Sequence, residues 1–126
     1  MTIRINHILL PARDKDASAR FLADILGCEV SDKSAGAPSG RFAVIRLDDG
    51  STLDFAEMEN VTPVHIAFEV TEDGFDAILN RLTANGVTYS ADPRHRRQGE
   101  INANEGGRGL YFQDSDGHNF ELLTKV

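Results

Sequence analysis

The chain is short of several things, and each shortage excludes a class of protein. It has one cysteine, Cys28, so no internal disulfide can form. It has no tryptophan, and no apolar run approaches the length of a membrane span. It is short of basic residues. Thirteen Lys and Arg stand against twenty Asp and Glu, for a formal net charge of −7. An acidic surface repels phosphate backbones, which argues against a nucleic-acid partner. The single basic cluster, Arg94-His95-Arg96-Arg97, is too small for a nucleic-acid footprint and reads as a solvated loop or a loop facing an anionic ligand. Nothing at the start resembles a secretory signal, so the expected setting is reducing and cytoplasmic, with no membrane contact.

What is present is a globular composition, with 40% apolar and 26% charged residues in a length of 126. That length suits one domain with a real core. The domain is written twice. Arg41 to Ala56 reads RFAVIRLDDGSTLDFA, and Arg108 to Leu123 reads RGLYFQDSDGHNFELL. The two align without a gap, placing Asp49-Gly50 on Asp116-Gly117 and Asp54 on Glu121. The starts also align, His7 on His65. The expected modules are therefore residues 1–59 and 60–126.

Each module reads as β-α-β-β-β. Residues 3–10 and 64–70 alternate like strands. Helices are expected over 15–26, with a stripe of Ala17, Phe21, Leu22, Ile25 and Leu26, and over 74–85, with Phe75, Ile78, Leu79 and Leu82. Asp14 or Asp16 and Asp73 are the expected N-caps, and Gly27 and Gly86 the stops. Short strands are expected near 29–31 and 87–90. Asp-Gly between apolar runs then predicts a hairpin in each module. The fold class is α+β: two tandem βαβββ modules forming a cupped mixed sheet with helices on the outer face.

Strand alternation assigns side chains to faces. Phe120 and Leu122 face the helix, so Asn119, Glu121 and Leu123 face away from it. In the first module Leu53 and Phe55 oppose Thr52, Asp54 and Ala56. The repeat thus puts a His from each first strand, His7 and His65, and a carboxylate from each last strand, Asp54 and Glu121, on the concave surface. Singly, a His in a strand is more often structural than a ligand, and an Asp or Glu is usually on a solvated face. Repeated as a set, they form a candidate site for Zn, Fe, Mn, Ni or Co. Glu121 and Asp54 are also the candidates for moving a proton during catalysis. Arg94, Arg96, Arg97 and Arg108 suggest an acidic group on the ligand, and Arg94 and Arg108 are taken as substrate-binding candidates.

The stretch His7-Ile-Leu-Leu-Pro-Ala-Arg-Asp, the stretch Phe21-Leu-Ala-Asp-Ile-Leu-Gly27 and the ending Leu110-Tyr-Phe-Gln-Asp-Ser-Asp-Gly-His-Asn-Phe-Glu-Leu-Leu123 resemble the vicinal oxygen chelate superfamily of glyoxalase, bleomycin-resistance and extradiol-dioxygenase proteins. The resemblance spans essentially the whole chain. It implies a cup around a divalent metal held by His7, His65 and Glu121, with Asp54 at the fourth-carboxylate position of the glyoxalase I type. It also implies a homodimer. Tyr111 matches a substrate-contacting Tyr of the fosfomycin-modifying members. Glyoxalase I carries a basic residue soon after its first His, and here that stretch is Leu9-Leu10-Pro11-Ala12. The extradiol type needs a further acid–base His, for which only His95 and His118 are spare.

The function so implied is metal-dependent chemistry on a small molecule with neighbouring oxygens, of the lyase or isomerase, transferase or dioxygenase kind. The alternative is a metal-free protein that sequesters a drug or small molecule, as bleomycin-resistance proteins do.

Overall fold

A computed structural model describes residues 1–33 and 40–125. The chain divides into two compact units, Met1–Thr62 and Pro63–Val126. Each is a βαβββ module, so the α+β tandem repeat is the observed fold. In the first, β1 (His7–Ala12), α1 (Lys15–Leu26), β2 (Val30–Ser31), β3 (Ala43–Arg46) and β4 (Thr52–Glu57) make a sheet of order β1-β4-β3-β2. In the second, β5 (His65–Glu69), α2 (Glu72–Ala84), β6 (Tyr89–Ser90), β7 (Gly109–Gln113) and β8 (Asn119–Leu123) repeat that order as β5-β8-β7-β6. Both sheets are mixed: β1 with β4 and β5 with β8 are parallel, and the other pairings are antiparallel.

The helix starts and stops follow from capping chemistry. The Asp14 carboxylate accepts from the Ala17 N–H, and Gly27 ends α1 in the left-handed conformation at φ 80°. The buried stripe of α1 runs through Ser18, Ala19, Leu22, Ala23 and Ile25. Ala17 is exposed, and Phe21 and Leu26 are half-buried, so the stripe sits slightly around the helix from the expected one. In α2 the buried positions are Phe75, Ile78 and Leu82. Its cap is Thr71, whose hydroxyl accepts from Gly74 N, rather than Asp73. The helix accordingly begins two residues before the expected start.

Both hairpins turn where Asp-Gly predicts, with Gly50 at φ 88° and Gly117 at φ 86°. The first strand differs from expectation. Residues 3–6 are not part of it, because β4, its only partner among the described residues, begins at Thr52 opposite His7. Before Thr52 the chain is turning, and Arg4 instead donates to the Asp49 carbonyl.

The second module packs α2 on one sheet face. Leu110, Phe112, Phe120 and Leu122 are fully buried there, and the Phe112 and Phe120 ring centroids lie 5.4 Å apart. The opposite face carries Asn119, Glu121 and Leu123, all half-buried. No helix of the described residues is long and apolar enough to cross a membrane.

Candidate functional site

The strand register sorts the candidate residues. Across the second sheet, Ala67, Glu121, Tyr111 and Ser90 are aligned neighbours, and His65, Asn119 and Gln113 form the next row. Aligned residues share a face, so His65, Glu121 and Tyr111 rise from the side away from α2. His65 Nε2 lies 3.1 Å from Glu121 Oε1, and the His65 ring meets Tyr111 edge-on with centroids 5.8 Å apart. The His65 side chain keeps 49% of its surface exposed and Glu121 19%.

Tyr111 is buried, and that burial is the largest cause pushing its hydroxyl above its ordinary value of 10. A hydrogen bond to Glu121 and the charges of Glu121 and Asp92 push the same way. Tyr111 is thus a neutral hydrogen-bond donor at physiological pH, directed at Glu121.

The first module repeats the register and not the contact. His7 is opposite Thr52 and Leu9 opposite Asp54, just as His65 is opposite Asn119 and Ala67 opposite Glu121. His7 is exposed, and its Nδ1 stands 2.8 Å from Asn6 Oδ1. An amide oxygen only accepts, so that bond places a hydrogen on Nδ1, and in the neutral ring the lone pair is then on Nε2. Asp54 is fully buried. Within neither module do three or more His, Cys, Asp or Glu side chains gather as a metal-holding group among the described residues.

The pair in the second module fits a metal. Two ligand atoms bound at about 2.1 Å and at right angles stand about 3 Å apart, and His65 Nε2 and Glu121 Oε1 have that spacing. One is an imidazole nitrogen and the other a carboxylate oxygen, the donor types that borderline divalent ions take.

Of the arginine candidates, Arg108 is committed elsewhere. Its guanidinium donates at 2.8 Å to Glu72 and at 2.8 Å to Asp76, and it lies 4.4 Å over the Phe75 ring. All three partners belong to α2, so the structure sets this side chain on the helix side of the sheet, away from Tyr111 and Glu121. The substrate role expected of it from sequence gives way to a clamp between β7 and α2. Arg94 is exposed in the loop after β6. His118 is fully buried, and its Nδ1 accepts from Val64 N at 3.0 Å, tying the Asp-Gly turn to the start of β5.

A cavity of about 380 Å³ opens beside Glu121, lined also by Asn102, Asn104, Glu105, Leu123 and Lys125. That is the size of a small-molecule site. Its wall depends on Gly109, because a Cβ there would sit 2.6 Å from Asn102 Oδ1. Nothing in the sequence announces Asn102, Asn104 or Lys125 as lining residues. Asn119 was assignable to the open face by alternation, but its partners were not visible.

Residues 4–122 match the model of the Glyoxalase/Bleomycin resistance protein/Dioxygenase superfamily. Among curated proteins the chain is 28% identical over 122 residues to Fosfomycin resistance protein FosX of Listeria monocytogenes, covering 94% of this chain and 86% of that protein. It is 29% identical over 129 residues to Metallothiol transferase FosB of Lysinibacillus sphaericus, covering 98% and 84%. Among solved structures it is similar to Oxidase ChaP-H2, with 51% identity, a TM-score of 0.90, and coverage of 100% of this chain and 96% of that one. With a repeat, a register and a family match that agree over nearly the whole chain, this protein belongs to the Glyoxalase/Bleomycin resistance protein/Dioxygenase superfamily, the vicinal oxygen chelate proteins.

Proposed function

We propose that this protein is a metal-dependent oxidase of a small molecule carrying two neighbouring oxygens, with dioxygen as the acceptor. The observation that carries the reading is the His65–Glu121 pair at 3.1 Å, set beside Tyr111 on an open sheet face. The 51% identity to an oxidase favours oxidation over the other chemistries of the family. The proposed ligands are His7, His65 and Glu121, with Asp54 at the matched carboxylate position. When bound, a divalent ion polarises neighbouring substrate oxygens, and a redox-active one such as iron also passes electrons to dioxygen.

The chain's own residues do the rest. Asn6 orients His7 so that Nε2 is the free ligand nitrogen. Tyr111 donates to Glu121 and holds that carboxylate in place. Leu123 and the cavity beside Glu121 supply a partly apolar seat for the substrate body. Arg94, exposed on its loop, is the remaining candidate for an acidic substituent. Two copies are proposed to associate, which the exposed Ile3, Ile5, Ile8 and Leu9 on and before the edge strand β1 support.

A second reading is fosfomycin modification, which the Tyr111–Glu121 contact and the FosX and FosB relatives favour. Iron-loaded protein is incubated with a panel of catechols and enediols in an oxygen electrode, and separately with fosfomycin plus a thiol or water. Oxygen uptake with any diol, lost in Glu121→Ala, supports the oxidase reading. Consumption of fosfomycin without oxygen uptake replaces it with the second.

A further inference from the structure

Two charged residues on the cavity beside Glu121 have no part in the proposed metal chemistry. The first is Lys125. Glu121, Leu123 and Lys125 are alternate residues running along β8 and off its end, and all three line the cavity. Thr124 between them belongs to the other side. Its hydroxyl accepts from Arg108 N at 2.8 Å and hydrogen-bonds Glu72 of α2. Alternation therefore keeps Lys125 on the open face with Glu121.

The second is Glu105, and the turn that carries it is fastened to the ends of β7 and β8. Asn102 and Gly109 exchange both backbone hydrogen bonds, at 2.8 and 3.0 Å. The Asn102 side chain donates to Ala91 O at 2.8 Å and accepts from Asn104 N at 3.1 Å. A Cβ on Gly107 would lie 2.5 Å from Thr124 Oγ1 and 3.0 Å from Lys125 Cβ, so the turn rests on residues 124–125 only because glycine is there. Within this turn Glu105 adopts φ 58° and ψ 18°, a left-handed conformation uncommon for a residue with a Cβ. Glycine would adopt it without strain. Strain held by such a network is a feature of functional sites. The Glu105 carboxylate and the Lys125 ammonium each lack a hydrogen-bond or ion-pair partner among the described residues, and they do not pair with each other.

We propose that Lys125 and Glu105 are specificity-determining residues that bind a zwitterionic head on the substrate, its carboxylate against Lys125 and its ammonium against Glu105. A plain anion at Lys125 would also meet Glu105, and a plain cation at Glu105 would also meet Lys125. Only a head with both signs satisfies both side chains. Leu123, between Glu121 and Lys125 on the strand, takes the apolar body of the ligand. Four residues of strand span at most about 13 Å, and the Glu and Lys side chains shorten the gap to one that a ring with a short carbon tail covers. The ligand class is therefore a catechol or enediol joined through such a tail to an amino-acid head. Arg94, by contrast, does not line the cavity. This inference rests on the oxidase reading above, and it adds two residues outside the proposed ligand set.

The test uses zinc-loaded protein, inert to oxygen, titrated calorimetrically with catechols that differ only in the head. Dihydroxyphenylalanine carries both charges, dopamine the ammonium alone, dihydrocaffeate the carboxylate alone, and ethylcatechol neither. An exposed charge pair strengthens binding by up to about fivefold, so dihydroxyphenylalanine should bind about tenfold more tightly than ethylcatechol. Lys125→Met should abolish its advantage over dopamine, and Glu105→Gln its advantage over dihydrocaffeate, with ethylcatechol affinity and melting temperature unchanged in both. Glu105→Gly should cost the same affinity as Glu105→Gln while raising the melting temperature, because it relieves the left-handed strain. Equal affinities for all the catechols, a preference set by one charge alone, or preferences that survive both substitutions overturn the zwitterion site and leave the oxidase reading standing. Failure of the wild type to bind any catechol overturns the oxidase reading, and the site with it.

Discussion

Replacing Phe120 by Ala removes the ring at the centre of the second module's core. Phe120 has no exposed surface, and its centroid lies 5.4 Å from Phe112 and 6.2 Å from each of Phe68 and His118. A buried Phe removes about 150–250 Å² from water, which at about 25 cal/mol per Å² is about 4–6 kcal/mol as an upper bound. Truncations of this kind cost about 3–5 kcal/mol, so about 4 kcal/mol is expected. With a urea slope of about 2 kcal/mol per M, the midpoint falls by about 2 M. The chain has no Trp and two Tyr, Tyr89 and Tyr111, both in the second module. Tyrosine fluorescence therefore reports the module that the substitution damages. Phe120→Leu keeps most of the volume and should cost about 1 kcal/mol, with Asn119 and Glu121 still on the open face. A cost below about 1 kcal/mol for Phe120→Ala would refute this placement of the core and the face assignment that depends on it.

Two further substitutions probe other parts of the account. Glu72 is held below its ordinary value of 4.5 chiefly by its hydrogen bond from Arg108. A depressed carboxyl stabilises the fold above the unfolded value and loses that contribution as pH falls through the folded one. Arg108→Met should therefore lower stability at pH 7 and flatten the loss as pH falls below about 4.5, as read by urea midpoints on either side of that value. Unchanged steepness there would mean the clamp does not couple to Glu72. Tyr111→Phe should remove the tyrosinate that ionises above the ordinary value of 10, leaving one phenol in the ultraviolet titration. It should also weaken metal binding by releasing the Glu121 carboxylate. A loss in the normal part of the titration curve instead would show that Tyr111 is not buried against Glu121.

The features legible in the sequence are those set by short-range chemistry or by the repeat. The expected span 15–26 is that of α1, with Asp14, one of the two offered caps, and Gly27 at its ends, because a cap and a left-handed glycine act locally. The alternation around Phe120 and Phe55 assigned Glu121 and Asp54 to the face opposite the helix, and the aligned registers carry the same statement at both modules. What failed needed long-range information. Ile3 and Ile5 alternate like a strand, yet a strand also needs a partner, and β4 starts too late to supply one. Thr71 and Asp73 are both good caps, and the backbone at the helix entry selects Thr71. Arg108 looked available because its acidic partners lie more than thirty residues earlier. Its parity with Leu110 and Phe112 was the clue to the helix side. The difference between His65, which meets Glu121, and His7, which meets Asn6, has a trace in the repeat: Asn6 falls on Val64, which offers no polar partner, and the shorter Asp54 falls on Glu121.

The most direct test of the central claim is the metal content of protein purified without chelators, for the wild type and for His7→Ala, His65→Ala and Glu121→Ala. The account expects close to one equivalent of a divalent metal per chain, lost or strongly reduced in each variant while the circular dichroism is retained. No metal in the wild type, and none taken up on titration with Fe, Mn, Co, Ni or Zn, would contradict it and leave a family member that binds its ligand without metal chemistry.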